Sequence, residues 1–372
     1  MKVLMLSKAC YIAAYRRKLE ELARLPGVEL TLIVPPYWRM GKRKDPFEPG
    51  HDQGYRTIVR NPVFNGYHHL HYYRCLPKII ADVRPDIFHI DEEPYDFVTL
   101  SALRTAKKAK LKSLFFTWQN IDRRLPGPFG FFEDYALRHF DGAIAGNQSA
   151  AEILRRKGFK RPLAVIPQFG VDPDIFYPRG EQRVAPAPFA IGYVGRLVAE
   201  KGIFVLLEAV SLLSGSWHLD LVGSGPLEGA ARQKIADLGL ADRVSFVSKM
   251  PSTDMPGFLP KLDTLVLPSL TTANWKEQFG RVLIEAMACG VPVVGSDSGE
   301  IPNVIGQSGM ICREGNPLDI RDQLADLMRD PAKQQYFAQS GRQRVLAHFT
   351  QRKVAEKTYS LYEQVIHLHS VV

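Results

Sequence analysis

Residues 264–300, TLVLPSLTTANWKEQFGRVLIEAMACGVPVVGSDSGE, leave this chain little choice of architecture. Leu265, Val266 and Leu267 form a short apolar run of the kind a buried strand needs. Pro268–Lys276 is polar and turn-forming. From Phe279 to Met287 the apolar residues fall at 279, 282, 283, 284 and 287, a helical spacing. Gly290 stops the helix, and VPVVGSD opens a second buried strand. Two carboxylates frame the helix, Glu277 at its entrance and Glu285 one turn before its end. A helix starting near Gln278 would aim its free backbone N–H groups into the loop, an anion site with no need of a metal.

The same strand–helix–strand alternation runs through the rest of the chain, which makes the fold class α/β with parallel sheets. Val3–Ser7 is a first strand, followed by a helix near Tyr15–Leu25 and a second strand at Leu30–Val34. Further strands are expected at Ile87–Ile90, Leu114–Thr117, Gly142–Ala145 and Ala164–Ile166. Helices are expected near Phe131–Phe140 and after an Asn147 cap. The proline-rich segment Pro167–Pro188 has no periodicity and reads as a linker. A second series begins at Phe189, with strands Ala190–Val194, His218–Val222, Val244–Val247 and Met310–Cys312. After residue 317 the chain is helical, and a last helix near Lys353–His369 could cross back to the first half. A chain of 372 residues is long for one domain. The expected division is an N-terminal domain 1–178, a C-terminal domain 179–350 and a returning helix 351–372.

The formal net charge of +9 favours anionic partners such as nucleotides, phosphates or an anionic membrane face, or reflects only a basic surface. No nucleic-acid motif is present, so nucleic acid is not an expected partner. Cys10, Cys75, Cys289 and Cys312 are scattered, without a Cys-x-x-Cys pair. That argues against a zinc site or a disulfide framework and fits a reducing cytoplasm. The apolar run after Met1-Lys2 is too short for a signal segment, and nothing approaches a membrane span.

Candidate binding residues gather where strands end. Lys8, Tyr11, Tyr15 and Arg16 follow the first strand, at the edge where doubly wound sheets bind ligands. Asp91, Glu92 and Glu93 follow Ile87–Ile90. They read either as catalytic or sugar-binding carboxylates or as acids suiting the dipole of a helix that starts near Tyr95. Gln119 and Asn120, with Arg123 and Arg124, follow Leu114–Thr117 and suit hydroxyls or a phosphate. Pro35–Asp52 is expected as a long loop mixing Tyr37, Trp38, Met40 and Phe47 with Arg39, Lys42, Arg43 and Lys44. It reads as an acceptor or membrane-surface contact, or as a solvated loop. In the second half, Gly195, Arg196 and Lys201 follow a strand, and Gly223-Ser224-Gly225 is either a phosphate-cradling turn or a tight strand-to-helix turn. Two cations and a helix N-terminus would clamp a diphosphate, and Glu285 could accept two hydrogen bonds from a ribose diol.

VGRLVAEKG (194–202), LVGSGPLEG (221–229) and EQFGRVLIEAMACGVPVVGSDSGEIPNVI (277–305) resemble the donor domain of retaining glycosyltransferases of the GT-B fold, specifically glycosyltransferase family 4. The resemblance covers most of 189–345, and IPQFGVDPDIFYP (166–178) resembles the family's interdomain segment. It implies two Rossmann-like domains facing across a cleft, and transfer of a hexose-type sugar from a nucleotide diphosphate-sugar to a hydroxyl acceptor. The acceptor would be a sugar, a lipid-linked or polysaccharide precursor, or a small molecule. No cofactor or metal is implied. Arg196 and Lys201 would bind the diphosphate, and Glu285 the ribose. Glu277 would face the donor sugar. Phe279, Gly280 and Arg281, with Val282 beside them, would offer backbone contacts, and Ser248–Met250 would flank the base. Lys8, Tyr11, Glu92, Gln119 and Asn120 would line the acceptor side. The expected setting is cytoplasmic, with peripheral contact on the inner face of an anionic membrane.

Two departures from the family pattern stand out. The loop after the first strand is Ala9-Cys10-Tyr11-Ile12-Ala13-Ala14, where many members carry a Gly-Gly pair. Gln119 stands where many carry a histidine, and it cannot carry a proton as histidine does. Same-face chemistry assisted by the leaving phosphate would not strictly need a base there. A nucleotide-sugar epimerase on the same fold, and a non-catalytic nucleotide-sugar-binding protein, are the rival readings.

Overall fold

The computed structural model describes residues 1–179, 187–247 and 250–367. The chain divides into two compact units: Met1–Gly170 with Gln351–Val372, and Val171–Thr350.

The N-terminal unit runs β1 (Lys2–Leu6), α1 (Arg17–Ala23), β2 (Glu29–Val34), β3 (Tyr37–Met40), β4 (Arg43–Pro46) and β5 (Arg56–Val59). It continues with α2 (Leu76–Val83), β6 (Ile87–Ile90), α3 (Phe97–Lys108), β7 (Lys112–Thr117), α4 (Pro128–His139), β8 (Gly142–Ala145), α5 (Gln148–Arg156) and β9 (Leu163–Val165). Seven strands form one parallel sheet in the order β5-β2-β1-β6-β7-β8-β9. The chain builds outward from β1 in one direction and then returns to β6 on its other side. Val3 pairs with Ile87 and Leu6 with Ile90. At that reversal the crossover connections part to opposite faces, leaving a crevice at the strands' carboxyl ends. Helices cover both faces, which is why β1 and β6 are apolar almost throughout rather than alternating.

The segment read as a long loop, Pro35–Asp52, instead contains an antiparallel hairpin. β3 and β4 pair from Tyr37 with Pro46 to Met40 with Arg43, around Gly41 and Lys42. One buried ring, Trp38, anchors it. A two-strand ribbon with a single buried residue writes almost no period-2 pattern into the sequence, which is why it was not legible there.

The C-terminal unit runs β10 (Phe189–Val194), α6 (Ile203–Ser211), β11 (Trp217–Val222), α7 (Glu228–Asp237), β12 (Val244–Val247), α8 (Met255–Phe258) and β13 (Thr264–Leu267). Then come α9 (Arg281–Ala288), β14 (Val293–Ser296), α10 (Ile301–Ile305), β15 (Met310–Cys312), α11 (Pro317–Arg329) and α12 (Pro331–His348). Its six strands are all parallel, ordered β12-β11-β10-β13-β14-β15, with the reversal between β10 and β13. Ile191, Leu219, Leu221, Val266 and Val294 from the sheet pack with Leu206, Leu207 and Leu324 from the helices.

The last helix, α13 (Gln351–Ile366), crosses back to the N-terminal unit. Val354, Ala355, Thr358, Leu361, Tyr362 and Val365 form its buried stripe at helical spacing. All but Thr358 join a core with Val3, Leu19, Leu22, Leu114 and Ile144. Tyr362 Oη and His89 Nδ1, on β6, share a hydrogen bond of 2.7 Å. The four cysteines are free.

Candidate functional site

In the C-terminal unit the loops after β10, β11 and β13 meet beside the β10/β13 reversal. Gly195 N donates to Val222 O, and Leu197 N to Ser224 O, each at 3.0 Å. Gly223, at φ 143°, lies so close that a Cβ there would sit 1.9 Å from Gly195 O. The Gly223-Ser224-Gly225 turn is thus held by backbone approach to the Gly195–Leu197 loop, a structural requirement for glycine in its own right. Arg196 projects from this loop, exposed and without a side-chain partner among the described residues. A single 3-10 turn, Ala199–Lys201, then carries Lys201 inward.

Lys201 Nζ donates to Glu277 Oε2 and lies 5.1 Å from the Trp275 ring. Ser269 Oγ, just past β13, donates to the same oxygen at 2.8 Å. Glu277 is buried. Its backbone is gripped as well: Glu300 N donates to Glu277 O at 3.1 Å. Gly299, at φ 57°, lies where a Cβ would come within 2.1 Å of that carbonyl. The structure therefore joins as one ion pair two residues assigned from sequence to different parts of a donor.

α9 begins at Arg281, three residues later than the apolar spacing suggested. Gly280, at φ 76°, is the N-cap, so Gln278 and Phe279 belong to the loop. Phe279 entered the helical count because it is buried, but it is buried as a loop anchor against Phe349, ring centroids 5.9 Å apart. The Arg281 side chain, for which the sequence suggested only backbone contacts, has a partner of its own. Its Nε donates to Glu285 Oε1 at 2.7 Å, one turn along the helix. Burial pushes the Glu285 carboxyl up, opposed by the Arg281 charge. Val282 and Met250 are half-buried. Ser248 and Lys249, expected to flank a base, lie outside the described residues.

In the N-terminal unit the equivalent reversal lies between β1 and β6. Lys8 N donates to Glu92 Oε1 at 2.6 Å, Lys8 Nζ donates to Glu92 Oε2, and Nζ lies 3.4 Å from Asp96 Oδ2. Burial lifts the Glu92 carboxyl to about 7 against the pull of Lys8. Asp91 accepts from Ser7 Oγ at 2.8 Å and from Gln168 Nε2. Glu93 accepts from Thr117 Oγ1 at 2.6 Å and from Trp118 N at 2.8 Å, and burial lifts it to about 7. All three acids bond to side chains and loops at the sheet edge rather than capping α3, which starts only at Phe97.

Gln119 is placed differently from the Lys8–Glu92 pair. With its amide oriented to suit its neighbours, Gln119 Nε2 donates to Glu133 Oε1 at 2.8 Å and its oxygen accepts from Lys157 Nζ at 3.2 Å. Asn120 is buried, and Tyr11 is half-buried in the 3-10 turn Ala9–Tyr11. Sequence reasoning missed His69 and His71. His69 Nδ1 pairs with Asp96 Oδ1 at 2.7 Å. His71 is fully buried, its Nε2 4.0 Å from Glu92 Oε1 and without a hydrogen-bond partner. The only signal was the run His68-His69-Leu70-His71, which lies in no regular element. Among the described residues no group of three or more His, Cys, Asp or Glu side chains could hold a metal ion. Among them also, no helix is long and apolar enough to cross a membrane.

Two family models match the chain: residues 16–175 match Glycosyltransferase Family 4, and 179–344 match Glycosyl transferases group 1. Over 209 residues the chain is 33% identical to an MMP alpha-(1->4)-mannosyltransferase of Mycolicibacterium hassiacum, covering 55% of this chain and 49% of that one. The chain thus spans about half the length of the curated relatives it matches, from 37% to 63% for the next two. In fold it is similar to sucrose-phosphate synthase of Thermosynechococcus elongatus, with a TM-score of 0.74 at 21% identity, covering 99% of this chain and 100% of that one. Anabaena HepE in complex with UDP gives a TM-score of 0.71 at 17% identity, covering 98% and 100%. These likenesses speak to the fold, and they extend over both units. Matched in both halves, with two parallel α/β sheets of the same design, the chain belongs to the GT-B glycosyltransferases of family 4.

Proposed function

We propose that the chain is a retaining, metal-independent glycosyltransferase. It would move a hexose-type sugar from a nucleotide diphosphate-sugar to a hydroxyl acceptor, such as a lipid-linked or polysaccharide precursor. One observation carries the reading. At the β10/β13 reversal, an unpartnered Arg196, the Lys201–Glu277–Ser269 cluster and the amino end of α9 are assembled together, with Glu285 one turn further on.

The chemistry follows from the charges. A departing diphosphate needs positive charge fixed in advance, because dipoles already in place cost no reorganisation as charge develops. Arg196 and the free N–H groups of α9 supply it without a divalent cation. Glu285 takes the ribose hydroxyls and is held ready by Arg281. Glu277, held by Ser269 and Lys201, presents a carboxylate to the sugar hydroxyls. Lys201 then serves both the carboxylate and the diphosphate. The acceptor would be held in the N-terminal unit, near Lys8 and Glu92. Gln119 is committed to Glu133 and Lys157. That supports leaving acceptor deprotonation to the departing phosphate rather than to a protein base at this position.

Thermal-shift titration with UDP, GDP and ADP and their sugars tests the donor site, since a ligand that binds only the folded state stabilises it by mass action. The productive donor is expected to raise the melting temperature. Glu285→Ala should weaken that donor by tenfold or more, the scale of a lost hydrogen bond to a charged group. Turnover should survive EDTA. A Glu285→Ala variant with unchanged turnover would sink the assignment, and loss of activity in EDTA would overturn metal independence.

A further inference from the structure

The aromatic and basic segment Tyr37–Phe47 reads from sequence as a surface contact, but the fold buries Trp38 and covers Phe47. Trp38 is 2% exposed, packed on His68 and His71. Phe47 lies under the Arg16 guanidinium, 4.2 Å from the ring centroid. What the β3–β4 hairpin exposes is Met40, at 53%.

A second segment is fastened to this hairpin. Asn65 Nδ2 donates to Tyr37 O at 2.9 Å, and Asn65 Oδ1 accepts from Arg39 N at 3.0 Å. Around Asn65 stand Phe64, Tyr67 and Leu70, exposed by 58%, 63% and 45%. Phe64 holds a left-handed backbone, φ 57°, which bulky residues rarely adopt. Its ring meets Tyr67 at 6.4 Å and Tyr72 at 6.3 Å. Large apolar side chains left half-exposed and joined into one surface mark a contact rather than a face that meets only water.

The charges on the hairpin are predominantly positive. Asp45 is the hairpin's acid, and it is bonded to Arg43. Arg39, Lys42 and Lys44 have no carboxylate partner among the described residues, and Lys44 lies 5.0 Å from the Tyr37 ring. Exposed aromatic rings on a segment fastened to a hairpin of uncompensated cations suit a planar anionic interface. The rings sit at headgroup depth, where their amphipathic character is matched, and the cations meet lipid phosphates.

We propose that Met40, Phe64, Tyr67 and Leu70, with Arg39, Lys42 and Lys44, form a docking surface for an anionic lipid bilayer. The surface rests on these residues alone, and it rests on the transferase reading only for the lipid-linked acceptor that docking would bring within reach.

Co-sedimentation of the full chain with vesicles of phosphatidylcholine, with and without phosphatidylglycerol, tests it. Binding is expected only to the anionic vesicles, and high salt should weaken it. Lys42→Glu with Lys44→Glu should reduce partition on the order of thirtyfold or more, two cations at the strength such contacts have near an anionic surface. Phe64→Asn with Tyr67→Ser should also release the protein, and asparagine suits the left-handed backbone at 64. Unchanged binding in either double variant, equal binding to neutral vesicles, or no binding by the native chain would overturn the proposal. So would capture by polyanionic polysaccharide or RNA but not by lipid. The nucleotide thermal shift should be unaltered in both variants, which separates lost docking from a lost fold and from failure of the donor-site reading.

Discussion

Among single residues, Glu93 makes the sharpest claim. Its two oxygens are taken by Thr117 Oγ1 and Trp118 N, so its role is to hold the loop after β7 against the end of β6. Burial raises its pKa to about 7 from the ordinary 4.5, despite those two donors. The folded state therefore keeps a proton that the unfolded chain has already lost at the same pH. The contribution is full below about 4.5 and lost as pH rises through about 7, at most about 1.4 kcal/mol per pH unit. Glu93→Gln keeps an oxygen for Trp118 N and does not titrate. Denaturant unfolding across this window should show the variant losing less stability with rising pH than the native chain; parallel curves would refute the shift. Neighbouring Asp91 and Glu92 were legible as candidates from the sequence. Their roles were not, because a run of three adjacent acids does not say which faces Ser7, which Lys8 and which the next strand.

At the scale of elements, the loop before α9 shows how much of the site is built by backbone contact. Glu277 O accepts from Glu300 N, and Gly299 closes over that carbonyl in a left-handed conformation. Gly299→Ala combines an unfavourable φ with a 2.1 Å collision against backbone that cannot rotate away. It should cost at least 1–3 kcal/mol, about the range for such strain, and shift Glu277 off Lys201 and Ser269. The expected outcome is a lower melting temperature together with weaker nucleotide-sugar binding, read by thermal shift and by calorimetric titration. A variant of native stability and affinity would show that the loop's closure is immaterial. The apolar spacing located α9 and its end at Gly290, yet misplaced its start by three residues. A buried Phe279 looks the same to a helical count whether it lies on the helix or anchors the loop in front of it.

For the molecule as a whole, the consequential feature is that the N-terminal unit is completed by the last helix of the chain. Tyr362 is fully buried, and its hydroxyl is held by His89 on β6, a pair 273 residues apart in sequence. Tyr362→Phe leaves His89 Nδ1 buried without its partner, a penalty of about 1–3 kcal/mol. Hydrogen exchange should become faster in 351–366 and in the strands beneath it, while the C-terminal sheet keeps its protection. Uniform acceleration in both units, or none, would contradict this division of stability.

The alternation of short apolar runs with helical spacing, broken by glycine and proline, determines two parallel α/β sheets, because only helices on both faces can bury strands that are apolar throughout. The Gly195–Gly202, Gly223–Gly225 and Glu277–Glu285 motifs likewise mark the loops at which we propose that a donor binds. Only the tertiary structure decided which of these residues touch. Lys201 reaches Glu277 across 76 positions, and Arg281 turns to Glu285. It also decided that Gln119 faces Glu133 and Lys157, that His69 pairs with Asp96, and that Trp38 is a core residue rather than a surface one. Periodicity reports whether a side chain is buried. Which partner it meets depends on strand order, and strand order is set by packing between segments far apart in the chain.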